Sequence, residues 1–273
     1  MIKNFIINRP AFLLSEKNYF RYIIILSNIL FWLGLSEKLK SKKVYLDSLQ
    51  KELWEVKGNS FLIRIQSQYR VSRFLKGFVH AGKRQWIRYG INDLVGLQKP
   101  DVLIDLGANI GEVSIYAHTL GVRKIIAIEP DPIALECLKF NLRQTSVDIQ
   151  GIAIGNITGN VTFYSQSHSA DSSLFKPEGE ATEILVGSMT LNDFCSERDL
   201  HGSILLKMDA EGFEPEILES GISALEKIKY VTVDAGAERG NQSTVEDVIR
   251  ILSRANFDEI NVSSNLIVTA KRN

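Results

Sequence analysis

One short run restricts the fold of this chain more than any other. It is Asp105-Leu106-Gly107-Ala108-Asn109-Ile110-Gly111, which closes an apolar stretch and opens a helical pattern. Glycines at such a junction let the backbone turn tightly and let a ligand approach it, and ligands of open α/β sheets sit beyond the carboxyl ends of strands. The next β-rich run, Lys124–Ile128, ends in Glu129-Pro130-Asp131, with Glu129 placed 24 residues after Asp105. A carboxylate there can accept hydrogen bonds from both hydroxyls of a ribose. Turn, helix, strand and terminal acid in this order form a specific combination, which one glycine-rich turn does not.

The surrounding pattern agrees. Strands are expected at Val102–Leu106, Lys124–Ile128, Ile149–Ile154, Ile204–Met208 and Tyr230–Asp234. Helices are expected at Gly111–Leu120, Pro132–Gln144, Phe213–Ser220 and Thr244–Ala255. Pro132 suits a first helical turn, where its missing amide hydrogen costs nothing. This alternation implies a parallel sheet wrapped by helices. Asn160–Ser165 and Glu183–Met189 read as further strands bracketing a polar loop, and Glu259–Val262 with Leu266–Ala270 read as a hairpin across Ser263, Ser264 and Asn265. A mostly parallel sheet finished by an antiparallel hairpin is, by fold-level analogy, the seven-stranded Rossmann-like arrangement of class I methyltransferases.

Residues 1–100 lack that alternation. They read as a mainly helical cap with one short strand, Phe61–Ile65, ahead of a ligand-binding domain at 101–273. Formal net charge is zero, yet residues 1–100 carry 18 Lys/Arg against 6 Asp/Glu and residues 101–273 carry 14 against 26. A basic segment of this kind meets anionic lipid, a polyanionic substrate or nucleic acid, or it solvates one face and pairs with the acidic part. The apolar run Tyr22–Leu35 is 14 residues long, short of the roughly 18 to 20 that a bilayer-spanning helix needs. It starts late and lacks a small-residue cleavage site, and Lys38, Lys40, Lys42 and Lys43 follow it, so a secretory signal is not expected. Two readings remain: a helix packed on the main domain, or an interfacial helix resting on an anionic membrane surface. Cys137 and Cys195 fall in helical stretches with no second thiol at metal-ligand or redox spacing, so they read as buried reduced thiols in a cytoplasmic protein.

A dinucleotide site uses the same ribose logic, but it needs three glycines so that a pyrophosphate can reach the helix amides, and here the middle position is Asn109. S-adenosylmethionine has no phosphate to cradle and tolerates an Asn there. The glycines also fit simple close packing of strand on helix. Gly107, Asn109, Gly111 and Glu129 are the expected cofactor contacts, with Asp105, Ala108, Pro130, Asp131, Ala153 and Ser172 completing the shell.

The run Val102 to Leu142, the segment Asp171-Ser172-Ser173-Leu174, and Leu206-Lys207-Met208-Asp209-Ala210-Glu211-Gly212-Phe213-Glu214 together resemble the FkbM family of methyltransferases. The resemblance spans about residues 60 to 270. It implies a class I fold, adenosylmethionine as cofactor, and transfer to oxygen of a sugar or natural-product hydroxyl. One departure is that the family often ends its fifth strand in a lone Glu, where this chain has Asp234-Ala235-Gly236-Ala237-Glu238-Arg239-Gly240.

Asp209 and Glu211 follow an apolar strand at the end where such a site sets methyl donor against acceptor. A hydroxyl is a poor nucleophile until its proton is accepted, and a partly desolvated carboxylate can serve as that base. Alternatively Asp209, Glu211 and Asp234 hold a divalent metal, or Glu211 or Glu214 merely caps the next helix. His168, in the polar loop beside Asp171, is a third candidate acid or base, with a solvated loop residue as the plain alternative. Competing functions are a non-catalytic adenosylmethionine-binding module and a nucleic-acid methyltransferase. The second fits poorly, because Cys195 is not preceded by proline and no Asn-Pro-Pro-aromatic run occurs. The acceptor is therefore expected to be a small molecule or glycan. Metal dependence and oligomeric state stay open at this level.

Overall fold

The computed structural model describes residues 45–273 apart from 51–52, 59–60, 67, 75, 97, 167–171, 177–180 and 240–241. The Tyr22–Leu35 run and its lysines, His168 and Asp171 lie outside the described residues.

The main sheet has seven strands: β4 (Val102–Leu106), β5 (Lys124–Ile128), β6 (Asp148–Gln150), β10 (Ile204–Met208), β11 (Tyr230–Asp234), β12 (Glu259–Val262) and β13 (Ile267–Lys271). Their spatial order is β12-β13-β11-β10-β4-β5-β6. All neighbours are parallel except β13, which runs antiparallel to both β11 and β12. This is the expected class I arrangement. After β4 the chain moves to β5 on one side, and β10 later pairs on the other. The resulting switch point leaves a crevice above the ends of β4 and β10.

Period-two alternation explains why both central strands are wholly buried. Val102, Ile104 and Leu106 share one apolar layer with Ile204, Leu206 and Met208, while Leu103 and Leu205 face the opposite layer. That opposite face also receives Asp105 and Lys207, which are register partners and form a buried ion pair at 3.3 Å. Lys207 Nζ further donates to the carbonyls of Leu106 and Gly107 and Ser114 donates to Asp105 Oδ2, while Asp105 Oδ1 meets the ammonium charge without a hydrogen bond.

Two expectations need correction. The third strand does not run from Ile149 to Ile154: β6 ends at Gln150, and a new strand β7 (Ala153–Gly155) joins β8 (Gly159–Ser165) and β9 (Thr182–Thr190) in a separate sheet of order β7-β9-β8. The chain leaves the main sheet at Gly151, where Leu135 sits so close that a Cβ would lie 2.7 Å from its Cδ2.

The segment before residue 100 contains three strands rather than one. They are β1 (Tyr45–Gln50), β2 (Leu53–Gly58) and β3 (Phe61–Ile65), an antiparallel meander whose last strand is the one expected. Charged residues interleaved through 51–57 hid the others.

A 3-10 helix (Gln68–Phe74), α1 (Phe78–Arg88) and α2 (Ile91–Val95) follow the meander. The remaining helices are α3 (Glu112–Thr119), α4 (Pro132–Asn141), α5 (Leu191–Ser196), α6 (Glu214–Ser220), α7 (Ile222–Leu225) and α8 (Val245–Arg254). Packing crosses residue 100 freely. Leu53, Val56, Ile63 and Ile65 share an apolar cluster with Ala108, Ile110 and Leu138. On the other side, Trp86 of α1 meets Tyr116 of α3 edge-on at 5.7 Å. Asn141 of α4 accepts from the Arg64 backbone and donates to its carbonyl, which ties β3 to the same body.

Candidate active site

The turn after β4 is fixed by a close approach. Gly107 has φ +68°, and a Cβ on it would lie 1.9 Å from the carbonyl oxygen of Asp209, so only glycine fits. Asn109 follows at φ +51°, a conformation that Asn adopts more readily than most residues. The Asp209 amide donates to the Leu106 carbonyl, locking the ends of β4 and β10 together.

Glu129 stands at the end of β5 and is buried. Its Oε2 accepts the Asn109 amide at 2.8 Å and its Oε1 accepts the Asp131 amide at 2.9 Å. Burial nevertheless dominates and raises its pKa to about 7. Asp131 caps α4 by accepting the amides of Ile133 and Ala134, while its other oxygen accepts the hydroxyls of Ser165 and Ser172.

On the β10 side, Glu214 is fully buried and accepts the amides of Ala210 and Gly212 at 2.9 and 3.1 Å. Burial raises it too, to about 7. It thereby shapes the loop bearing Asp209 and Glu211, where Glu211 adopts φ +49°. Ser173 donates to the Glu211 carbonyl at 2.9 Å, and Arg239 bonds both the Gly212 carbonyl and Glu216. The phenol of Tyr89, just after α1, donates to Asp209 Oδ2, and its pKa is raised by burial and by the Asp209 charge. Next to it, Arg88 pairs with Asp234.

Two cavities meet here. The smaller, about 70 Å³, is lined by Glu129, Pro130, Asp131, Ala153 and Ser172 together with Ile152, Phe163, Leu174, Phe213 and Gln66. The larger, about 450 Å³, is lined by Ala108, Glu112, Val113, Tyr89, Asp234 and Glu238, with arginines on its far wall. Gly107, Asn109, Asp209 and Glu211 line both.

Of the residues expected to contact the cofactor, Asp105 and Gly111 line neither cavity. Asp105 lies beneath the turn, accepting from Ser114 and paired with Lys207, and Gly111 packs on Leu138 and Leu142. Gln66, Tyr89 and Phe163 come from outside the strand-turn-helix pattern, and no motif points to them. Asp234 is engaged by Arg88. Among the described residues, the carboxylates whose oxygens lie within 4.8 Å of one another are instead Asp209, Glu211 and Glu238.

Among the described residues, Gln66 Oε1, Asn109 Oδ1 and Glu112 Oε1 are buried acceptors without a hydrogen-bond partner. Buried acceptors left unpaired are costly unless a ligand brings donors. Adenosylmethionine brings an ammonium, two ribose hydroxyls and an adenine amine, and the apolar walls Ile152, Phe163 and Leu174 suit a purine. The residues present fit that cofactor.

No helix among the described residues is long and apolar enough to cross a membrane. Two curated relatives were found. The 2-O-methyltransferase NoeI of Sinorhizobium fredii is 25% identical over 186 residues, covering 61% of this chain and 76% of the relative. The hexuronic acid methyltransferase AglP of Haloferax volcanii is 23% identical over 185 residues, covering 64% and 73%. A solved precorrin-6y C5,15-methyltransferase from Geobacter metallireducens is similar at TM-score 0.42 and 17% identity, over 69% of this chain and 89% of its own. The methyltransferase FkbM domain matches residues 105–259. With more than half of its length so matched, the chain belongs to the FkbM methyltransferase family.

Proposed function

We propose that this enzyme transfers a methyl group from adenosylmethionine to a hydroxyl of a carbohydrate acceptor, with Asp209 as general base. The observation that carries the reading is the junction of the two cavities at Gly107, Asn109, Asp209 and Glu211. The name of one curated relative, a hexuronic acid methyltransferase, supports a sugar-like acceptor, and that of the other, a 2-O-methyltransferase, supports transfer to oxygen.

In this reading the smaller cavity holds the nucleoside, with Glu129 accepting the ribose hydroxyls and Ile152, Phe163 and Leu174 flanking the base. Bound there, adenosylmethionine supplies an electrophilic methyl on a sulfonium. Asp209 would accept the proton that the acceptor hydroxyl loses as its oxygen bonds to the methyl carbon and the methyl–sulfur bond breaks, its electron pair staying on sulfur as a neutral thioether. Tyr89 fixes the orientation of the Asp209 carboxylate through Oδ2, leaving Oδ1 to face the acceptor. Glu214 acts at one remove by holding the loop. Alignment of the two reactants across the junction contributes most of the rate.

Asp209→Asn keeps the shape and removes the charge. We expect adenosylmethionine affinity within about threefold of wild type and methyl transfer lower by roughly 10² or more. Normal turnover of this variant refutes the base assignment, and loss of cofactor binding assigns Asp209 to the donor site instead. Glu238 adds a third oxygen donor beside Asp209 and Glu211, so a chelator arm belongs in the same experiment. A carboxylate base is indifferent to chelation, whereas a hydroxyl activated on a divalent cation is not.

A further inference from the structure

The larger cavity has two walls of opposite charge. Strand ends and their loops supply Asp209, Glu211, Asp234 and Glu238, and the 3-10 helix with α1 supplies Arg70, Arg73, Arg84 and Arg88. Side chains three apart eclipse in a 3-10 helix, and side chains four apart share a face of an α-helix. Two arginine pairs from two elements are therefore aimed into one cleft. Neither Gln68–Phe74 nor Phe78–Arg88 contains an acidic residue, so this wall has no counter-charge of its own. Arg88 reaches across to Asp234. Among the described residues Arg73 and Arg84 make no ion pair, and both are exposed to the cleft solvent.

Guanidinium forks match the planar geometry of a carboxylate or the oxygens of a phosphate, and such charge-assisted pairs are stronger than neutral hydrogen bonds. We propose that the acceptor is an anionic sugar, whose carboxylate or phosphate is held by Arg73 and Arg84 while its reacting hydroxyl faces Asp209. The inference rests on the reading of a carbohydrate acceptor given above and adds the charge of that acceptor. Reverse entry sets the anion against Asp209, Glu211 and Glu238, and that repulsion makes the orientation one-way. A neutral hexose gains neither the attraction nor the discrimination. A volume of about 450 Å³ falls within the size of small-molecule sites.

The test compares a hexose, the matching hexuronate and the matching hexose phosphate, using the full-length protein and the double variant Arg73→Gln/Arg84→Gln. Calorimetry on the S-adenosylhomocysteine complex reads binding without turnover, and labelled adenosylmethionine reads transfer. We expect a charged sugar to bind at least about tenfold more tightly than the hexose, with the advantage shrinking as salt rises. The double variant should lose about 10- to 100-fold in affinity for the charged sugar and raise its KM by a similar factor, a far larger change than for the hexose, with cofactor affinity unchanged. The charged compound that binds identifies carboxylate or phosphate as the anion. Binding lost in the variant but unaccompanied by transfer sustains the anion site and defeats the hydroxyl-transfer reading alone. Equal binding of hexose and both charged sugars, no binding of either charged sugar, or an equal loss for all three in the variant overturns the proposal.

Discussion

Glu129 sits under two opposing influences, and with Glu129 as the proposed ribose acceptor their balance would set how pH controls nucleoside binding. Two backbone amides favour its charge, while complete burial disfavours it more and leaves the carboxyl with a pKa of about 7. The ionised form is the better acceptor for two ribose hydroxyls. Its share rises from about a tenth at pH 6 to about nine-tenths at pH 8, so adenosylmethionine affinity should increase about tenfold over that range. Calorimetry at the two pH values measures this, and Glu129→Gln should bind weakly at both; a wild-type affinity that ignores pH excludes Glu129 as the ribose acceptor. Gly107 is a residue of another kind, because its role is to be absent as a side chain. The Asp209 carbonyl occupies the place where a Cβ would stand.

Among the elements, α1 contributes most that the strand-turn-helix pattern does not contain. It delivers Arg84 and Arg88 to the cleft, leads into Tyr89, and is held by Trp86, which is 1% exposed and packed on Tyr116. Trp86→Ala should cost about 3 to 5 kcal/mol of stability, measured by urea unfolding, because the cavity cannot collapse between two helices. A loss below about 1 kcal/mol would mean that α1 is only loosely attached.

The central strands β4, β10 and β11 were legible because each is a short, wholly buried and mostly apolar run, and Pro132 announced the first turn of α4. Of the meander only β3 was legible; β1 and β2 were not, since charged residues interrupt the apolar pattern at Asp47, Lys51, Glu52, Glu55 and Lys57. Nor could the split between β6 and β7 be read, as Ile149–Ile154 is apolar on both sides of the bend. The site was legible where it follows strand ends, at Glu129 and Asp209. It was hidden where it depends on distant packing, as with Tyr89 and Gln66.

For the whole molecule, Glu129 and Glu214 together make stability fall with rising pH. Both have a pKa near 7 when folded, against about 4.3 in an unfolded chain. Below the unfolded value both states keep the proton and the contribution is fully present. Between the two values the unfolded chain ionises first, and the contribution is lost as pH rises to about 7, at roughly 1 kcal/mol per pH unit for each group. Unfolding free energies of the cofactor-free protein at pH 5.5 and 7.5 should show that decline. Glu129→Gln/Glu214→Gln removes both titrations and should flatten it, although at Glu129 one of the two backbone amides loses its acceptor, which lowers stability by a similar amount at every pH; an identical pH slope in this variant assigns the decline to other groups.

The bend at Gly151 has a mechanical consequence. Gln150 accepts the Glu129 amide at the edge of the main sheet, and three residues later Ala153 opens the small sheet, its register partner being Ser188. The floor of the smaller cavity, Ile152 to Ile154, is thus a splice through which a single strand is handed from one sheet to the other. A nucleoside seated there, as proposed above, would touch both sheets at once and act as a rivet between them. Occupancy would then set how independently the β7-β9-β8 sheet moves.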